Sequence, residues 1–242
     1  AVLLMAGTAS GTNSTLFTPT GSTSEPFSRK ALSSAGNVRY GYRPAIYGSY
    51  FFIPQLNGSG FTAVDFALSA SLNLSVPAMG FVSAGNTLWR SIGKQTRRPT
   101  MIRGITDQAG TGSENAWSAT LNIGDGFLPI LDMVALDDQL AIGMPDGLYI
   151  GDQGGSFFNV LGNLRSQIHE DNCRDLALHD NSVIVPHVSG IYEYRPGMEA
   201  QVREVGPHSG QRSPVRGRFR CVRSNGPWLY AGLYTGSQSY LL

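Results

Sequence analysis

Residues 132–149 read DMVALDDQLAIGMPDGLY, and residues 175–192 read DLALHDNSVIVPHVSGIY. The two align without a gap at an offset of 43. Asp132 matches Asp175, Asp137 matches Asp180, Leu140 matches Val183, Ile142 matches Val185, Gly147 matches Gly190 and Tyr149 matches Tyr192. Each copy is a pair of short apolar runs folded about a tight turn, which predicts a hairpin. An isolated hairpin cannot bury both of its faces in water. A chain made of such copies has to bury them against one another.

Further copies bracket these two. CVRSNGPWLYAGLYTGSQSYLL begins at Cys221, and Trp228 aligns with Val183 at an offset of 45. VDFALSASLNLSVPAMGFVSAGNTLW (64–89) and AIYGSYFFIPQLNGSG (45–60) are more divergent hairpins. AGTASGTNSTLF (6–17) resembles AGLYTGSQSYLL (231–242) at an offset of 225. At 43–45 residues per unit, this offset spans about five blade units, and the chain starts and stops at the same point of the unit. A period of roughly 40–50 residues with several short strands is the signature of a propeller blade. The expected fold is therefore all-β, a β-propeller of four-stranded antiparallel blades in one domain over 1–242. The alternation of Leu140 with Ile142, and of Val183 with Val185, turns one strand face toward a neighbouring blade. In the Pro-Asp-Gly turn, Gly147 supplies the positive φ that a tight hairpin needs.

The composition agrees. Gly is 30 of 242 residues and charged residues are only 14%, as suits short strands joined by tight turns. No stretch carries a clean apolar period of 3.6. The net charge of +1 gives no overall field for nucleic acid or an acidic membrane. No apolar run approaches the ~20 residues of a membrane span. Cys173 and Cys221 are too few for a disulfide scaffold and read as free, buried thiols. The chain does not begin with Met, and it ends on the strand-like SQSYLL. This pattern points to processing or to a piece of a longer polypeptide.

LAIGMPDGLYIGDQGGSFFNVLG (140–162) resembles the short blade repeats of two-component-regulator and BNR-type propellers. Gly143, Gly147, Leu148, Tyr149, Gly154, Gly155 and Phe158 fill that pattern. The Asp-box of sialidases is absent, since DQGGSFF lacks its leading Ser and its Trp. WLYAGLYTGSQSYLL (228–242) is similar to segments in propellers of tailed-phage structural proteins. That resemblance implies a virion tail or baseplate component, in a virion or extracellular setting.

A search for chemistry gives no catalytic residues. There is no Gly-x-Ser-x-Gly elbow around a nucleophile, and no phosphate-cradling Gly-x-x-x-x-Gly-Lys loop. HEDNC (169–173), followed by Asp175, His179 and Asp180, is the densest set of metal-ligating types. It has neither His-Glu-x-x-His nor Cys-x-x-Cys spacing. Asp132 and Asp175 recur with the repeat, as do Gly147 and Gly190, so all four read as turn positions, with the carboxylates capping backbone N–H groups. The interval from Trp89 to Tyr149 is longer than the others, and 105–126 reads as an inserted loop. Asp107, Glu114 and Asp125 in that loop are weak candidates for calcium, which takes oxygen ligands from irregular segments. No other cofactor is implied. RSPVRGRFRCVR (212–223) holds five arginines but only Phe219 to stack a base, so it reads as a solvated or interface strand rather than a nucleic-acid site. The interface candidates are Arg212, Arg216, Arg218, Arg220 and Trp117.

The expected function is a non-enzymatic platform binding other protein subunits of an assembly. The alternative is a carbohydrate-binding or glycoside-hydrolysing, sialidase-like propeller. Acidic residues and arginines from several blades meeting at one end of the central channel would favour the alternative. An apolar or covered channel end would favour the platform.

Overall fold

The computed structural model describes residues 4–7, 14–19, 27–32, 43–55, 60–66, 71–92, 101–124, 127–162, 168–197, 202–206 and 217–242. Among them, six antiparallel meanders follow one another along the chain. The first sheet holds β1 (Leu4–Gly7), β2 (Ser14–Pro19) and β3 (Phe27–Leu32). The second holds β4 (Ala45–Tyr47), β5 (Tyr50–Pro54), β6 (Phe61–Asp65) and β7 (Ser71–Leu74). The third holds β8 (Gly80–Ala84), β9 (Thr87–Ile92), β10 (Met101–Ile105) and β11 (Leu121–Asn122). The fourth holds β12 (Asp132–Leu136), β13 (Gln139–Met144), β14 (Gly147–Asp152) and β15 (Phe157–Asn159). The fifth holds β16 (Ala177–His179), β17 (Ser182–His187), β18 (Gly190–Tyr194) and β19 (Val202–Glu204). The sixth holds β20 (Arg218–Asn225), β21 (Trp228–Tyr234) and β22 (Ser239–Leu241). β2 begins at Ser14 and β22 at Ser239, so the offset of 225 joins equivalent strands. Its five intervals separate six sheets.

Successive sheets meet through their first strands. β8 lies against β4 and β5, β12 against β8, β16 against β12, and β20 against β16 and β17. This is the radial order of propeller blades, with the first strand of each blade innermost.

Strand alternation feeds two different cores from each blade. Leu140, Ile142 and Met144 of β13 pack with Val82, Trp89 and Ile102 of the third sheet. Their neighbour Ala141 faces the other way, joining Val183, Val185 and Tyr194 of the fifth sheet. Val183 and Val185 thus face back, while Ile184 packs forward with Phe219, Val222 and Leu233 of the sixth. Both faces of β13 and β17 are buried, which is why these strands read as near-continuous apolar runs.

The sixth sheet departs from the sequence alignment by one residue. Asn225 pairs with Trp228 across a two-residue turn, as Leu136 pairs with Gln139 in the fourth sheet. Trp228 is therefore the equivalent of Ser182, and Leu229 the equivalent of Val183. A one-residue slip moves a side chain to the opposite face. Trp228 lies 67% exposed, although its equivalent Ser182 is buried.

The turn chemistry also repeats. Gly147 has φ +149, and a Cβ there would stand 2.3 Å from the Asn159 side chain. Tyr149 donates its hydroxyl proton to Asp146 at 2.6 Å. One period later, the hydroxyls of Ser189 and Tyr192 bond at 2.9 Å. Asp137 (φ 51) and Asp180 (φ 46) recur because both occupy the left-handed region, which Asp tolerates better than most residues. No helix among the described residues is long and apolar enough to cross a membrane.

Candidate functional site

Four sheets send charged side chains to one place beside the inner strands. Arg43 comes from the segment before β4, Asp132 opens β12, Arg174 and Asp175 precede β16, and Arg220 and Arg223 lie on β20. They line a cavity of about 310 Å³. Arginines and acids from several blades thus converge on one end of the channel.

Asp132 is the hub. Its Oδ1 accepts from the backbone N–H of Met133 at 2.9 Å. Its Oδ2 accepts from the N–H of Leu176 in the next sheet at 2.8 Å and from Arg43 at 3.0 Å. Arg43 also donates to the Leu176 carbonyl at 2.5 Å. One carboxylate thereby ties the second, fourth and fifth sheets together. Burial raises the Asp132 pKa from 3.8 to about 6, with the Arg43 charge opposing. The expected turn-capping role holds for the bond to Met133, but the stronger reason for an acid here is the link between blades. Asp175 pairs with Arg223 at 2.5 Å and stands 3.9 Å from Arg43. Burial raises its pKa too, against the pull of Arg223.

Asp171 lies fully buried behind the cavity. Arg220 Nε stands 3.0 Å from its Oδ1, out of line for a hydrogen bond. Arg174 is 3.6 Å away and Arg218 is 4.0 Å away. The Arg220 guanidinium also sits 4.3 Å above the centre of the Tyr234 ring. Asn172 donates to the Pro145 carbonyl at 2.9 Å and accepts from Val188 N–H at 3.1 Å. The Asp171–Cys173 part of HEDNC is thus a buried connector between blades, with arginines around its Asp, while Glu170 is exposed.

The remaining sequence candidates fall elsewhere. Asp107 caps a 3-10 turn (Gln108–Gly112) by accepting from Ala109 N–H at 2.9 Å. Glu114 binds the fully buried Arg90 at 2.7 Å and also pairs with Arg103. No group of three or more His, Cys, Asp or Glu among the described residues is placed to hold a metal ion. Asp125, Arg212 and Arg216 lie outside the described residues. Trp117, expected at an interface, is instead buried at 3% exposure. It packs in the core between the second and third sheets, with Arg90 4.5 Å from its ring centre. The segment between β10 and β11 folds back over the blades because Trp117 and Ile105 are apolar anchors. It forms one wall of a second cavity, of about 530 Å³, with Tyr50, Phe52, Leu72 and Leu74 opposite. Arg218 and Arg220, named for an interface, belong to the Asp171 cluster. Arg43 carried no signal in the sequence, since no motif or repeat marks it and its partner lies 89 residues away.

No protein-family model matches the chain, and no curated protein matches it. Solved structures do. The extracellular domain of a hybrid two-component system from B. thetaiotaomicron superposes with a TM-score of 0.62 at 12% identity, covering 99% of this chain and 30% of that one. The Pan2 WD40 domain of Neurospora crassa gives a TM-score of 0.62 at 9% identity, over 96% of this chain and 69% of that one. The β-propeller domain of the Trilobed protease from Pyrococcus furiosus gives 0.58 at 11% identity, over 99% of this chain and 73% of that one. The chain thus spans 30% of the two-component extracellular domain it matches. Identities this low speak to architecture alone, and with the meanders above they establish that the chain has the β-propeller fold.

Proposed function

We propose that the chain is a non-enzymatic interaction platform within a larger assembly, and specifically a structural subunit of a phage tail or baseplate. The outer face of the sixth sheet carries this reading. Trp228 and Tyr230 occupy positions equivalent to Ser182 and Ile184, and Ile184 is buried against the following blade. In the sixth sheet this face instead shows Trp228, Tyr230 and Leu241 to solvent, with Trp228 67% and Leu241 75% exposed. Exposed aromatic clusters of this kind are typical of protein-binding surfaces. The similarity of 228–242 to propeller segments of tailed-phage proteins supports the finer assignment. Mass spectrometry of purified virions is expected to find the chain, and its absence from them would overturn the tail assignment. Trp228→Asp is expected to leave thermal stability unchanged and abolish partner capture. A large loss of stability would mean that the face serves the fold instead.

A second reading, carbohydrate binding, is favoured by the arginines and acids meeting at the channel mouth. Hydrolysis is less well supported. General acid–base work needs a carboxyl group free to reach the substrate, and both oxygens of Asp132 are already engaged.

A further inference from the structure

We propose that the channel-mouth cavity is a binding site for the oxyanion of a small acidic ligand of about monosaccharide size. The inference deepens the carbohydrate reading, resting on it only for the position of the ligand, and is independent of the platform reading. Three observations carry it.

The first is charge. The cavity wall holds Arg43, Arg174, Arg220 and Arg223 against Asp132 and Asp175. Asp171, paired with the lining Arg220, also has Arg218 at 4.0 Å. The wall keeps a surplus of positive charge in a protein whose net charge is only +1. Focusing of this kind concentrates anions.

The second is order. Each guanidinium stands within 4 Å of an acid. Asp132 holds Arg43, Asp175 holds Arg223, and Asp171 holds Arg220 and, loosely, Arg174. Tyr234 supports the flat face of Arg220. Every guanidinium has five N–H groups in a planar fork. Within the described residues, no hydrogen bond is made by Arg174 or Arg220, and Arg43 and Arg223 spend only part of their donors. Donors fixed before binding cost little further entropy when an anion arrives.

The third is size. A volume of about 310 Å³ sits at the small end of the roughly 300–1,000 Å³ range of ligand pockets. It suits a single sugar ring with an acidic group better than an extended chain. Carboxylate and phosphate oxygens share the geometry that a guanidinium fork recognises.

The test is calorimetric titration of the full chain with glucuronate, glucose 6-phosphate and glucose. At least one of the two acids is expected to bind, and glucose is expected not to. Binding of glucuronate alone assigns a carboxylate, and binding of glucose 6-phosphate alone assigns a phosphate. Arg174→Gln removes unengaged donors without breaking a hydrogen bond, and is expected to weaken the acid by about tenfold with no change in thermal stability. Arg223→Lys keeps the charge and loses the fork, with the same expected loss. The proposal fails if neither acid binds, or if both variants bind as the parent does. Glucose binding as well as the acids would also overturn it, while leaving the carbohydrate reading intact.

Discussion

Asp132 is held in a place where its charge is costly and its oxygens are needed. Burial raises its pKa from 3.8 to about 6. The folded state therefore holds the proton more tightly than the unfolded chain. This favours folding at low pH and is lost as pH rises from about 4 to 6, on the order of 3 kcal/mol from this group alone. Asp132→Asn keeps one acceptor and turns an N–H₂ toward either the Met133 N–H or the Leu176 N–H and Arg43 together. Chemical denaturation at pH 7 is expected to show a loss of about 1–3 kcal/mol, and the variant's profile should lack the fall between pH 4 and 6. His187 runs the other way. Burial first, and the His169 charge second, lower its pKa from 6.5 to about 4. Its stabilising contribution is present above pH 6.5 and is lost as pH falls toward 4. NMR titration is expected to show the His187 ring unchanged from pH 8 to 5. A midpoint near 6.5 would contradict the buried placement. Burial also pushes the Cys173 thiol well above its ordinary range, whereas Cys221 is partly exposed. A thiol reagent should label Cys221 and spare Cys173 in the native protein.

The strands were the most legible level of this fold, because a period of two repeated every 43 residues leaves few alternatives. Leu140, Ile142, Val183 and Val185 fall on the faces their alternation predicts. The misalignment at Trp228 has a local cause, since the register of β20 shifts between Phe219 and Cys221; its exposure is a separate matter, because Ser182 on the same face is buried. The channel mouth was half legible. Asp132 and Asp175 stood out by recurrence, but the bond from Asp132 to Leu176 spans 44 residues, and no local pattern records it. Trp117 was misread because an aromatic in a loop looks exposed until the loop folds back on an apolar core. Glycine positions test the blades directly. A Cβ at Gly143 would stand 2.1 Å from the Cys173 carbonyl oxygen, in backbone that cannot move aside. Gly226 has φ +57 and open space around it. Gly143→Ala should cost several times more stability in thermal melts than Gly226→Asn, which is expected to stay within about 1 kcal/mol of the parent. Equal effects would argue against close packing between the fourth and fifth sheets.

At the scale of the molecule, consecutive meanders bury their faces only against each other, and their first strands line up inside. That geometry lets residues two blades apart in sequence meet at the channel mouth, and it is what both functional readings use. Arg43 and Asp132 are the plainest case, 89 residues apart and in contact at 3.0 Å, with two whole blades between them along the chain. A double-mutant cycle with Arg43→Gln and Asp132→Asn, followed by chemical denaturation, measures whether they touch. Radial blades predict a coupling energy of about 1–3 kcal/mol. A coupling of zero within error would contradict the convergence of blades on which the account rests.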